Sequence, residues 1–324
     1  MKNIKKTISI FFTISLFAIL LGQAAYSQNL NNTGEVQAQD IRDNGLFAKF
    51  YQPAASGERP GVIIIGGSDG NLLSNKAKEL AANGYPALAL GYFGKEGLPS
   101  NLEEVPLEYF FKAIEWLRKK PGVDPNKIVL IGSSRGAEAA LLVASKNRKV
   151  RGVIGYVPGY AAFGNLRRSL SQPEKPGWTF KGKPVPYLSG NTLPEFDTAN
   201  QLRENRVDEA EVKQTMIKVE RINGPILLFS SKTDKIWHST AMSDAIIKRL
   251  KAKRFRFPYE HISYDDASHI ILGKAPVRIK LPDNSEFYFG GTEEGTEKAR
   301  KDSWKQVLLF LDKFRTKTES PKQE

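Results

Sequence analysis

The chain predicts an α/β architecture: a mostly parallel central sheet, helices on both of its faces, and one cap-like insertion. Three observations predict it. Short β-branched runs alternate with helical patterns along most of the chain, as βαβ units require. These runs are almost wholly apolar, so both faces of the strands are covered. One of them, Lys127 to Ile131, passes through Gly132-Ser133-Ser134-Arg135-Gly136 straight into an alanine-rich helix.

The N-terminal segment is read first as a targeting signal. Lys2, Lys5 and Lys6 precede an apolar run from Ile8 to Leu21, and Ala25-Tyr26-Ser27 has the small residues of a signal-peptidase site. Residues 1–27 are therefore expected to be a cleaved secretory signal. The run is short for an uncleaved anchor. The chain has no cysteine, which excludes disulfides and lipid attachment through a thiol. The reading is an exported bacterial protein, periplasmic or secreted. Residues 28–40, rich in Asn and Gln, lack the apolar content to pack and are expected to be a flexible leader.

One catalytic domain is expected over residues 41–315. Its first strong strand is Gly61 to Ile65, followed by a helix around Asn75 to Asn83 and a strand from Tyr85 to Leu90. A helix over Leu102 to Lys120 then leads to the Lys127 to Ile131 strand. Val150 to Tyr156 is the next strand; Pro225 to Ser230 follows much later. A helix over Ser239 to Ala252, a strand over Tyr259 to Tyr264 and an amphipathic helix over Thr296 to about Phe314 complete the pattern. Residues 157–222 break the alternation with prolines, glycines and aromatics. So long an interruption in a compact domain usually has a function, and here it is read as a substrate cap, with a surface excursion as the alternative. Val277 to Gly291 reads as a hairpin turning at Pro282-Asp283-Asn284-Ser285, and residues 316–324 as a polar tail.

The chain is basic, with 48 Lys and Arg against 35 Asp and Glu and a net charge of +13. The densest cluster is Lys248, Arg249, Lys251, Lys253, Arg254 and Arg256. Its simplest reading is a solvated helix C-terminus. Peripheral contact with an anionic membrane or envelope surface is the alternative, and export argues against nucleic acid as a partner.

In the Gly132-to-Gly136 turn, glycines flank a serine where strand and helix backbones approach. This is the pattern of a nucleophile elbow, which would hold Ser134 on a strained turn with its hydroxyl available for acyl transfer. A serine needs a base, and His238, His261 and His269 are the only histidines. His269 is favoured, because it follows the last strand in a loop at the C-terminal sheet edge. His261 falls inside a strand, and His238 starts a helix as a cap or pocket residue. Asp234, after the Pro225 to Ser230 strand, is the expected orienting carboxylate, giving the order Ser, Asp, His. Its alternative is a helix cap. Asp265 and Asp266 sit too near His269 and read as loop-capping or solvated acids. For the oxyanion, the N–H of Arg135 and that of Gly67 or Ser68 in Gly66-Gly67-Ser68-Asp69-Gly70 are the expected donors. No phosphate-binding or metal-ligand pattern is present, so neither cofactor nor metal is expected.

The stretches PGVIIIGGSDG, LALGYFG, IGSSRGAEAALLVAS, KGKPVPYL, INGPILLFSSKTDKIWHS, YDDASHII and GGTEEGTEKARKDSWKQVLLFL occur in this order. Over about Arg59 to Phe314 they resemble the C-terminal catalytic domain of the acyl-CoA thioesterase and bile acid-CoA:amino acid N-acyltransferase family. The resemblance implies an α/β-hydrolase fold and a nucleophile, acid and histidine at Ser134, Asp234 and His269. Members acting on intracellular acyl-CoA carry a β-rich domain before the catalytic one, whereas only a few tens of residues precede it here, so a solitary catalytic domain is expected. Amino-acid-conjugating members use cysteine where Ser134 stands, and a serine ester is more usually resolved by water. The expectation is an exported serine acyl hydrolase of a small-molecule ester or thioester. Transfer to an alcohol or amine acceptor and non-catalytic binding of a lipid or envelope component stay open.

Overall fold

The computed structural model describes residues 36–54, 57–165, 171–189 and 209–315. The expected signal, residues 28–35 of the leader, parts of the insertion and the polar tail lie outside them. The first strands are β1 (Gln37–Ile41), β2 (Phe47–Gln52) and β3 (Arg59–Ile65), followed by α1 (Ser74–Ala82), β4 (Ala87–Gly91), β5 (Val105–Pro106) and α2 (Leu107–Leu117). Then come β6 (Val123–Ser133), α3 (Arg135–Lys146), β7 (Val150–Tyr156), β8 (Trp178–Phe180), β9 (Lys183–Pro184) and α4 (Glu209–Thr215). The C-terminal part holds β10 (Ile226–Ser231), α5 (Ser239–Ala252), β11 (Tyr259–Tyr264), β12 (Arg278–Lys280), β13 (Glu286–Tyr288) and α6 (Glu293–Arg315).

Eight strands form one sheet in the order β1-β2-β4-β3-β6-β7-β10-β11. The two pairings at the β1 end are antiparallel, and every pairing from β4 to β11 is parallel. Period-two alternation sends neighbouring residues to opposite faces. Ile63, Ile65, Leu130 and Leu228 pack towards α2, α3 and α5, whereas Val62, Ile64, Ile131 and Phe229 pack towards α1 and α6. The sheet is therefore covered on both sides. All five parallel pairings carry their strands towards one edge, where the glycine loop after β3, the turn after β6 and the loops after β10 and β11 gather.

Three expectations need correction. Residues 37–40 are not a flexible leader: they pair with β2 as β1, with Gln37 opposite Gln52 and Asp40 opposite Lys49. Their side chains are exposed, so the segment is held by backbone hydrogen bonds and carries no apolar signal. The domain accordingly begins before Ile41, and β2 joins the sheet where no strand was expected. The helix expected over Leu102 to Lys120 is shorter, because Glu104 has a φ of 50° and Pro106 cannot continue a helix from within.

The described parts of the insertion are more structured than their composition suggests. β8 pairs with β5 and β9, and bridges join Ala161 to Met216, Phe163 to Leu188 and Gly164 to Pro176. Its Tyr160, Phe163, Trp178, Leu188 and Ile217 extend the core cluster over α2 and α3. Of the basic cluster, Arg249 is engaged by both Glu220 oxygens at 2.6 and 2.7 Å, while Lys248, Lys251, Lys253, Arg254 and Arg256 are exposed. Among the described residues no helix is long and apolar enough to cross a membrane.

Candidate active site

The turn after β6 is strained and tightly packed. Ser134 sits at φ 54° and ψ −123°, a conformation an L-residue adopts at a cost of about 1–3 kcal/mol. Its N–H is tied to the Tyr156 carbonyl at 2.9 Å, and its carbonyl accepts from Ala137 and Glu138 at 2.9 and 3.1 Å, starting α3. The flanking glycines are obligatory on steric grounds. A Cβ at Gly132 would fall on the Gly136 carbonyl, and one at Gly136 would fall on the Gly66 carbonyl. Strand, helix and the loop after β3 therefore touch through bare backbone.

That contact sets the surroundings of Ser134. Gly67 faces it, with a Cβ built on Gly67 meeting the Ser134 Cβ at 3.3 Å and its Oγ at 3.9 Å. Ser68 follows Gly67 and is half-buried. Arg135 is the first residue of α3, where the opening N–H groups have no partner inside the helix. The backbone at Gly67 and Arg135 thus flanks the serine from two sides. Tyr92 fixes the glycine loop from beneath, its hydroxyl lying 3.1 Å from both the Gly66 and Gly67 carbonyls.

Asp234 and His269 meet at the same edge. His269 Nδ1 lies 2.8 Å from Asp234 Oδ2, and both residues are only 5% exposed. Asp234 Oδ1 accepts from the amides of Ile236 and Trp237 at 2.9 and 3.3 Å, so this carboxylate shapes the turn before α5 as well as holding the imidazole. The His269 N–H is bonded to the Phe289 carbonyl at 2.9 Å, and the Trp237 ring stands edge-on to the imidazole at 5.6 Å. Among the described residues the Ser134 hydroxyl makes no hydrogen bond, to His269 or to another group. Such contacts commonly close only when substrate is bound.

The other histidines and acids lie elsewhere. His261 is locked in the sheet, its Nδ1 3.0 Å from Asp244 and its Nε2 2.6 Å from Ser230 Oγ. His238 occupies the position before α5. Asp265 pairs with Lys232 at 2.6 Å, and Asp266 accepts from the backbone and hydroxyl of Thr292, as expected of solvated and loop-capping acids. Among the described residues, no group of three or more His, Asp or Glu is placed to hold a metal ion.

The sequence reading missed the enclosed groups behind the edge: Tyr92, Glu138, Phe163, Trp178 and Trp237. Glu138 had a signal of its own. It is the single acid in the otherwise small and apolar run Ala137 to Ala144, and it is fully buried.

Residues 105–317 match the family model described as BAAT / Acyl-CoA thioester hydrolase C terminal. The chain belongs to this family. The mouse peroxisomal succinyl-coenzyme A thioesterase is 28% identical over 289 residues, covering 88% of this chain and 67% of the relative. The mouse mitochondrial acyl-coenzyme A thioesterase 2 is 29% identical over 299 residues, covering 90% and 63%. The chain thus spans about two thirds of the length of these relatives. Among solved structures, a putative dienelactone hydrolase from Klebsiella pneumoniae superposes with a TM-score of 0.55 at 17% identity, covering 86% of this chain and 99% of the other. An acylaminoacyl peptidase from Pyrococcus horikoshii gives 0.59 at 12% identity, covering 92% and 45%. These likenesses show the α/β-hydrolase fold.

Proposed function

We propose that this family member is an exported serine hydrolase of acyl thioesters or oxygen esters, with Ser134, His269 and Asp234 as its triad. The observation that carries the reading is Ser134 on a positive-φ turn, flanked by the Gly67 and Arg135 backbone, at the sheet edge that also holds the His269–Asp234 pair. His269 takes the hydroxyl proton as Ser134 Oγ bonds to the acyl carbon, and Asp234 holds the imidazole with Nδ1 protonated. Oxyanion charge is met by the amide of Arg135 and one from Gly67 or Ser68. Collapse expels the thiol or alcohol, which leaves with the proton from His269. Water, deprotonated by the same imidazole, then cleaves the serine ester.

The printed names of the relatives favour acyl-CoA-type thioesters as the first substrates to try, and the 157–222 insertion is the proposed cap over the acyl chain. Export rests on the Lys2 to Ser27 pattern. The deciding experiment is intact mass after treatment with a fluorophosphonate, beside Ser134→Ala. Addition of one phosphonyl group to the parent alone is expected. Addition to neither protein, with the site open to a small probe, would overturn the reading in favour of a binding protein.

A further inference from the structure

The chemistry above uses the backbone of Arg135 and leaves its side chain, and that of Glu138, without a task. Both are enclosed, with side chains 3% and 0% exposed, and Arg135 Nη1 lies 3.1 Å from Glu138 Oε2. These two atoms lack hydrogen-bond alignment, so they face each other as charges. An enclosed ion pair is seldom more stabilising than apolar packing of the same volume, so its presence asks for an explanation other than stability. Burial pushes the Glu138 carboxyl up from its ordinary value, and the Arg135 guanidinium opposes that shift.

The remaining contacts of the pair run in two directions. Glu138 Oε1 accepts from the Phe163 amide at 2.9 Å and from Trp178 Nε1 at 2.5 Å. Arg135 Nη2 donates to the carbonyls of Phe163 and Gly164 at 3.1 and 2.9 Å. Space for the guanidinium comes from Gly177, where a Cβ would lie 2.5 Å from Nη2. Along one arm the Phe163 ring stacks on Trp237 at 5.6 Å, and Trp237 stands edge-on to His269 at 5.6 Å. Along the other, the Trp178 ring stacks on Tyr92 at 5.8 Å, and the Tyr92 hydroxyl holds the Gly66 and Gly67 carbonyls.

We infer that Glu138, clamped by Arg135, is a positioning residue that sets two parts of the site at once: the imidazole through Phe163 and Trp237, and the oxyanion loop through Trp178 and Tyr92. This rests on the assignment of Ser134 and His269 above. The sequence offers a device in which the residue after the nucleophile contributes its amide to the chemistry and its side chain to the frame around it. Neither the Glu138 nor the Arg135 side chain is assigned a contact with the reacting atoms.

The test is the kinetics of Ser134 phosphonylation by a fluorophosphonate from pH 5 to 9, in the parent, Glu138→Gln and Trp178→Phe. Glu138→Gln keeps the shape and removes the charge. It is expected to slow maximal labelling by about tenfold or more and to move the acid limb, which reports the base, by about half a pH unit or more. Trp178→Phe deletes the indole N–H and cuts the oxyanion arm alone. It should slow labelling by about three- to tenfold and leave the acid limb in place. Parental labelling and an unmoved limb in Glu138→Gln would overturn the inference, as would losses in both variants that merely track melting temperature. If Glu138→Gln does not fold, parental labelling by Trp178→Phe overturns it. A parent that is never labelled refutes the Ser134 assignment itself.

Discussion

Among the described residues two sets of a serine, a histidine and an aspartate invite comparison, and by hydrogen bonds alone the one inside the sheet is better formed than the proposed triad at its edge. In the sheet, His261 reaches Ser230 Oγ at 2.6 Å and Asp244 at 3.0 Å. At the edge, His269 holds Asp234 at 2.8 Å and the Ser134 hydroxyl stands free of hydrogen bonds among the described residues. The differences that favour Ser134 are elsewhere. Ser230 is fully buried inside a regular strand, and its hydroxyl is also engaged by Thr240 at 2.9 Å. Ser134 sits on a strained turn, beside a glycine loop and a helix N-terminus that can receive negative charge. The proposed nucleophile is distinguished by its strained turn and by a place for the oxyanion, which polar contacts alone do not reveal.

Exchanging the parts of the two constellations sharpens the contrast. Ser134→Ala should lower turnover by at least about 10⁴-fold, and Ser230→Ala should leave it within about twofold while costing about 1 kcal/mol of stability, read from urea midpoints. Turnover surviving in the first or vanishing in the second would reverse the two assignments. Asp234→Asn should reduce turnover by about 10⁴-fold through loss of the correct imidazole tautomer, whereas Asp244→Asn should not affect it.

The smallest effect concerns pH. Burial holds His261 below the ordinary imidazole value, against the opposing pull of Asp244. A histidine whose protonation is disfavoured in the fold contributes stability that is full above the unfolded-state value of about 6.5 and is lost as pH falls through it towards the lower folded value. Urea midpoints of the parent should therefore drop between pH 7.5 and 5.5 by more than those of His261→Gln. Parallel profiles would remove His261 from the acid response.

How far the sequence could be read follows from what kind of interaction fixes each part. The parallel core was legible because burial on both faces writes an apolar run, and α5 and β11 fall where their patterns place them. The elbow was legible because close backbone approach demands glycines at Gly132 and Gly136. β1 was hidden because Gln37 to Asp40 enter the sheet by backbone pairing alone, and β2, between β1 and β4, because Lys49 and Gln52 interrupt its short apolar pattern. Trp237, Phe163, Trp178 and Tyr92 come from four separate segments, so no local spacing announces them. Glu138 was visible as an acid among alanines, and only its enclosed partners give it meaning.

The bare-backbone contact at the elbow has a genetic consequence. A glycine codon has no smaller neighbour, so every coding change open to it adds atoms, and at Gly132 and Gly136 the first atom added falls on a carbonyl of the adjoining segment. These two codons are therefore targets at which nearly any missense event harms the elbow, whatever residue it introduces. Laboratory evolution of this scaffold must find its variation in the residues around the turn and leave these two untouched.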